Sequence, residues 1–226
     1  MAADASGATP SPADLLRQRL THGQGRLMVL VATTGVWLMD VLLAHHLEQD
    51  QQIEPSLRGA VTSIEHAGTV LFVVITVGLV IALFRASHRQ LFRWSLAYLS
   101  FSVLQVIANV LGMVFTAHHV HGSGLSSLWD VAAVYMQSVF VFMFIYVFLD
   151  VSTPGGAFVW PSRDGQDPPV PHLIDYLFIS LNVNSTYGPT SEALMARSAK
   201  LVMSLQVLLA MLILTVLIAR AVSATT

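Results

Sequence analysis

Three groups of side chains in this sequence have the type and spacing to do chemistry. Asp40 sits inside an apolar run (LMVLVATTGVWLMDVLLAH), and Glu65 and His66 sit just inside the next one. A charge at the centre of a bilayer costs roughly 2.5–3.5 kcal/mol even on the gentlest scales, so each such residue needs a reason. One reason is a proton- or cation-handling cluster, with Asp40 and Glu65 as acceptors and His66 as a titratable partner. The other is hydrogen bonding that joins neighbouring helices. The second group is the histidine-rich stretch HHVHGSG, with His118, His119 and His121. Adjacent and alternate imidazoles can hold zinc or copper, and His45, His46 and Asp130 fall toward the same side. A solvated interfacial loop is the plainer reading of that stretch. The third group is Asn182, Asn184, Ser185, Thr186, Tyr187 and Gly188, a polar turn directly after a short apolar helix.

Other chemistries find no support. There is no cysteine, which removes disulfides, thiolate metal sites and cysteine nucleophiles. No glycine-rich phosphate loop, nucleophile elbow or zinc-protease helix occurs, so nothing points to an enzyme and no cofactor is expected. A net charge of −2 gives no reason to expect nucleic acid. Gln105, Asn109, Gln137 and Gln206 read as hydrogen-bonders between helices.

The elements that must position these residues are membrane helices. Hydrophobic residues make up 54% of the 226 and charged residues 11%. A soluble domain carries about 25% charge, so lipid is the expected solvent and partner. A crossing helix needs about 20 mostly apolar residues. Five runs qualify: 27–45, 61–84, 91–117, 128–149 and 196–218. A sixth, His172 to Val183, is too short to cross and contains Asp175, so it is re-entrant or interfacial. The fold class expected is therefore an all-α membrane protein of about five transmembrane helices plus one short helix. The chain divides into a mobile tail over 1–25, a four-helix region over 26–151 and a polar loop over 152–171. The short helix, its turn and the final span occupy 172–222. The opening residues lack the basic start and apolar core of a cleavable signal, and the first span is expected to direct its own insertion.

Basic residues fix an orientation. Arg17, Arg19, Arg26, Arg85, Arg89, Arg93, Arg163, Arg197 and Lys200 fall on one face, against Arg58 and Arg220 on the other. The positive-inside tendency then places the N-terminus in the cytoplasm and the C-terminus outside.

Two resemblances follow. A short helix, a turn ending in Tyr187-Gly188 and a long apolar helix resemble the pore module of potassium-channel-type proteins, over FISLNVNSTYGPT and the final span. Thr186 and Pro189 depart from that family's Thr-Val-Gly-Tyr-Gly-Asp motif. The resemblance implies a filter of backbone carbonyls, a monovalent cation as solute and homo-oligomerisation about the final span. The whole layout is also similar to a family of uncharacterised bacterial inner-membrane proteins. The residues that carry this are Gly155-Gly156, Phe158, Trp160-Pro161, Asp175-Tyr176-Leu177-Phe178, Ser185-Thr186 and the span from Arg197. That resemblance implies a multi-pass inner-membrane location and no particular activity. Three functions stay open: a pore-loop channel or channel-like transporter, a non-transporting membrane scaffold, and a metal- or pH-sensing membrane protein.

Overall fold

In hydrocarbon every backbone N–H and C=O must find its partner within the protein, and long apolar runs meet that demand as helices. The computed structural model describes residues 23–50, 55–85, 88–116, 124–160, 171–185, 193–194 and 196–223, with side chains over 25–39, 68–85, 89–114, 128–160, 171–185 and 196–222. Among them are α1 (Gly23–Asp50), α2 (Pro55–Arg85), α3 (His88–Thr116) and α4 (Gly124–Ser152). After α4 come the two-residue strand β1 (Phe158–Val159), the short helix α5 (Leu173–Asn184), β2 (Ala193–Leu194) and α6 (Arg197–Ser223). Proline opens α2, a position where a missing N–H leaves no bond unmade.

Four helices are long and apolar enough to cross a membrane among the described residues: α2 over Gly68–Arg85, α3 over Arg89–Val114, α4 over Leu128–Ser152 and α6 over Arg197–Val222. Helix α1, where the sequence places the first of five spans, contributes a shorter apolar stretch, Gly25–Met39. The expected short sixth helix is present as α5.

Helix α4 is the hub. It packs against α1, α3, α5 and α6, and its residues Val141 to Phe148 are buried without a break. That fits its composition, because a helix apolar all round belongs in an interior. The other spans bury only a stripe each. Val70, Val74, Leu104, Leu201 and Leu208 stand exposed on their outer faces, and an apolar exterior of this extent suits lipid, where it would be a liability in water. Small residues set the helix spacing: a Cβ on Gly78 of α2 would come within 2.6 Å of the Trp94 ring of α3. The fold is all-α, membrane-embedded and multi-pass.

The helices alternate in direction, and their packing gathers most of the described basic residues at one end, with Arg220 at the other. Arg26, at the start of α1, lies over the Phe84 ring at the end of α2, 5.7 Å from its centroid. The Phe92 ring, early in α3, lies 5.5 Å from that of Phe148, late in α4. Strands β1 and β2 pair antiparallel, Phe158 with Leu194 and Val159 with Ala193, which ties the end of α4 to the start of α6. Arg26, Arg85, Arg89, Arg93, Arg197 and Lys200 therefore share one end of the bundle. Arg17, Arg19 and Arg163 lie outside the described residues.

Candidate functional site: a short helix clasped inside the bundle

The site is built where α4 ends. The turn Thr153-Pro154-Gly155-Gly156 closes with Gly156 N–H donating to the Thr153 carbonyl at 2.9 Å. Pro154 and the positive φ of Gly155 (80°) form the pattern of a type II turn. Gly156 follows at φ 86°, and a Cβ there would sit 3.0 Å from Asp150 Oδ1. The two glycines let the chain fold back onto the last turn of α4.

What it folds back onto is Asp150, a buried acid with both oxygens occupied. Oδ1 accepts from the Ala157 and Phe158 backbone N–H groups at 2.6 and 3.2 Å. Oδ2 accepts from the Tyr176 hydroxyl at 2.6 Å and the Trp160 indole N–H at 3.4 Å. The carboxyl group thereby joins α4, the β1 strand and α5. Aromatic rings close over it: Trp160 and Tyr176 meet edge to face at 5.4 Å, and Phe158 and Tyr146 at 5.6 Å. Asp175, which the sequence shows as an acid inside an apolar helix, sits in the first turn of α5. Its Oδ2 accepts from the His172 N–H at 2.7 Å, and its position also suits the helix dipole.

From Asp150, α5 runs down the side of α4. Ser180 donates to the Val139 carbonyl at 2.8 Å, and Asn184 Nδ2 donates to the Tyr135 carbonyl at 3.3 Å. Ser185, the C-cap, meets the Tyr135 hydroxyl at 3.2 Å. Asp150 and Tyr135 lie ~22 Å apart along α4, so α5 penetrates well past the middle of a bilayer-length helix. Its forward continuation is fixed again at the starting end, where β2 pairs with β1. Both flanks of α5 are thus at the basic end of the bundle.

Gln206 of α6 fastens the other side of α5. Its Nε2 lies 3.0 Å from the Ser180 carbonyl, 3.0 Å from Ser180 Oγ and 2.9 Å from Asn184 Oδ1. The Tyr146 hydroxyl of α4 donates to Gln206 Oε1. Gln206, Tyr146 and Ser180 are fully buried, so this is a network away from solvent in which every member has a partner.

The residues singled out in the sequence are distributed unevenly. Of the turn residues, Asn184 faces inward and is held by Gln206 and Tyr135. Asn182 is half-buried with its Nδ2 hidden and without a hydrogen-bond partner, and Ser185 is exposed. Thr186, Tyr187 and Gly188 lie outside the described residues. The same holds for His118, His119 and His121, and for the side chains of Asp40, Glu65 and His66, whose helices alone are placed. Among the described residues no group of His, Asp or Glu is arranged to hold a metal ion. Gln206 joins helices as its type suggests, and Asn109 Nδ2 donates to Gln137 Oε1 at 2.9 Å between α3 and α4. Sequence reasoning missed Asp150, Tyr146 and Ser180. The signal available was an acid at the last turn of a long apolar span, four residues before Pro154-Gly155-Gly156, where an unpartnered carboxyl would be costly.

No protein-family model, no curated protein and no solved structure matches the chain. Fold and site define a class: a multi-pass membrane protein whose central helix carries a short, clasped inner helix.

Proposed function

We propose that the chain is a pore-loop membrane protein, in which α5 presents its C-terminal end to a monovalent cation on a path shared by several copies arranged about α6. The observation that carries this reading is the course of α5. It starts at the basic end, ends at the level of Tyr135 and has both flanks at the same end. Short helices of this kind aim their carbonyl ends, which bear partial negative charge, at cations in transport proteins. The Asp150 clasp and the Gln206 network supply the rigidity such a helix needs. In this reading Asn182 and Ser185, with Thr186 to Gly188 beyond them, line the path.

The positive-inside tendency supports a cytoplasmic basic end, with the N-terminus inside and α5 entering from the cytoplasm. The location in this reading, a bacterial inner membrane, rests on the resemblance of the layout to that of the uncharacterised inner-membrane family. A second reading, a non-transporting scaffold, is favoured by the bonds that Ser180, Asn184 and Gln206 make within one protomer.

Liposomes containing the purified protein, loaded with potassium or sodium, separate the two. Wild type is expected to pass cation, and Gln206→Leu, which releases α5, to abolish passage. If wild type passes neither ion under any gradient, the pore reading is lost and the scaffold stands. A reporter fused to the C-terminus is expected to read outside, and a cytoplasmic signal would reverse the orientation.

A further inference from the structure

A hydroxyl buried in a helix has a ready acceptor in the carbonyl one turn back. This protein uses that option at buried Thr33, which bonds to the Val29 carbonyl, and also at half-buried Thr76 and exposed Thr215, which bond to those of Phe72 and Met211, each at 2.8 Å. Ser95 and Ser102 of α3 do not. Both are fully buried, and neither Oγ has a hydrogen-bond partner.

They belong to a pattern. Ser95, Tyr98, Ser102, Gln105 and Asn109 follow one another at alternating steps of three and four, which places all five on one narrow face of α3. That face meets α4 and, at Tyr98, also α2, whose Phe72 ring lies 5.7 Å away. The Tyr98 ring lies 5.7 Å from Phe144, and Asn109 bonds to Gln137. The Nε2 of Gln137 is also buried and without a partner. Two turns further along the same face of α4 comes Asp130, nine-tenths buried, which interacts electrostatically with Arg220 of α6. Ser95 to Asn109 covers ~21 Å and Gln137 to Asp130 another ~10 Å, together about the thickness of the hydrocarbon core.

Buried polar groups in native proteins find partners, and where the protein supplies none, ordered water does. We propose that the α3–α4 seam holds a file of ordered water molecules on Ser95, Ser102 and Gln137, and that this file carries protons between the basic end and Asp130. The chemistry needs no other reactant. A serine hydroxyl both donates and accepts, so a proton taken from the water on one side is matched by one given to the water on the other. Intramembrane carboxylates at the end of such files are the usual stations of proton relays. The seam lies on the face of α4 roughly opposite the one that holds α5, so it is independent of the pore reading.

Two measurements on the full-length protein test this. The first is hydroxyl-radical labelling in the membrane, where radicals form from resident water. Tyr98, which lies on the seam, is expected to be labelled well above Tyr146 and Tyr176, which are as deeply buried but lie on the α5 side of α4. Equal protection of all three tyrosines means a dry seam and overturns the proposal. The second is proton uptake by proteoliposomes carrying an internal pH dye, with the membrane potential clamped. Ser102→Leu, which fills the seam, is expected to slow uptake about tenfold or more, the loss caused by about 1.4 kcal/mol of added barrier. Unchanged uptake overturns the conducting role even if Tyr98 is labelled. Should the leucine variant not fold, Ser102→Ala removes the hydroxyl without adding bulk, and slower uptake with slower Tyr98 labelling is the expected result. Cation passage through α5 is read separately with Gln206→Leu, so either idea can fail alone.

Discussion

Helix α4 carries polar residues on two nearly opposite faces, and the two are built differently. Toward α5 and α6, Tyr135, Tyr146 and Asp150 are each bonded to a neighbouring element, and Tyr176, Ser180, Asn184 and Gln206 are bonded there too. Toward α3, Asn109 bonds to Gln137 across the seam, and Ser95, Ser102 and Gln137 Nε2 have no hydrogen-bond partner. The difference follows from what each face must hold. Helix α3 has 29 residues and is fastened by the length of its apolar contact. Helix α5 has 12, and Ile174 and Phe178 on it face outward, so little apolar surface holds it in place. Directional bonds do there what burial does elsewhere, because in lipid the hydrophobic effect gives no net drive between helices.

The largest effect that would test this contrast comes from the clasp. Asp150→Ala leaves the Ala157 and Phe158 N–H groups, the Trp160 indole and the Tyr176 hydroxyl without their acceptor. At about 1–3 kcal/mol for each buried group left unsatisfied, the total loss is at least about 4 kcal/mol. The chain has no cysteine, so a single Ile179→Cys can be labelled without background. Ile179 is fully buried on α5. Maleimide labelling is expected to be absent in that single variant and rapid when Asp150→Ala is added. If labelling stays absent, the clasp does not hold α5.

Gln206→Leu should follow, costing about 2–3 kcal/mol, because it removes the partner of Tyr146, Ser180 and Asn184 together. The readout is thermal unfolding in detergent. A cost no larger than that of Gln137→Leu on the opposite face would erase the contrast.

A smaller and sharper effect lies in the turn. Gly155→Ala is expected to cost about 1–2 kcal/mol from the left-handed backbone alone, since nothing lies within 4 Å of its would-be Cβ. Gly156→Ala carries the same strain and also crowds Asp150 Oδ1, so its loss should be the greater. Equal losses in thermal unfolding would mean that the carboxyl group has room to move.

Much of this was legible in the sequence, and for definite reasons. The crossing helices follow from run length, and the short helix from a run too brief to span. The clustering of arginines at one end follows once the helices alternate in direction. The clasp was not legible, because Asp150 meets Ala157, Trp160 and Tyr176 through a turn and a packing geometry that hydropathy does not encode. The β1–β2 pair was equally hidden, since two residues per strand leave no periodicity to find. The α3 stripe stood in plain view as alternating steps of three and four. Its meaning required knowing that Ser95 and Ser102 are fully buried and that neither hydroxyl has a hydrogen-bond partner.

The smallest effect separates the two faces most finely. Asn109→Leu removes the side-chain bond from Asn109 Nδ2 to Gln137 Oε1 across the α3 seam. If the seam is dry, Gln137 loses its last partner, and a fully unsatisfied buried amide should cost about 1–3 kcal/mol. If water fills the seam, a water molecule takes over the bond. The cost then falls to about 0.6 kcal/mol or less, the ordinary worth of a hydrogen bond between membrane helices. Thermal unfolding of Asn109→Leu beside Gln206→Leu reads both faces on one scale. A wet α3 face and a dry α5 face predict a small loss for the first and a large loss for the second, whereas comparable large losses would make both faces dry.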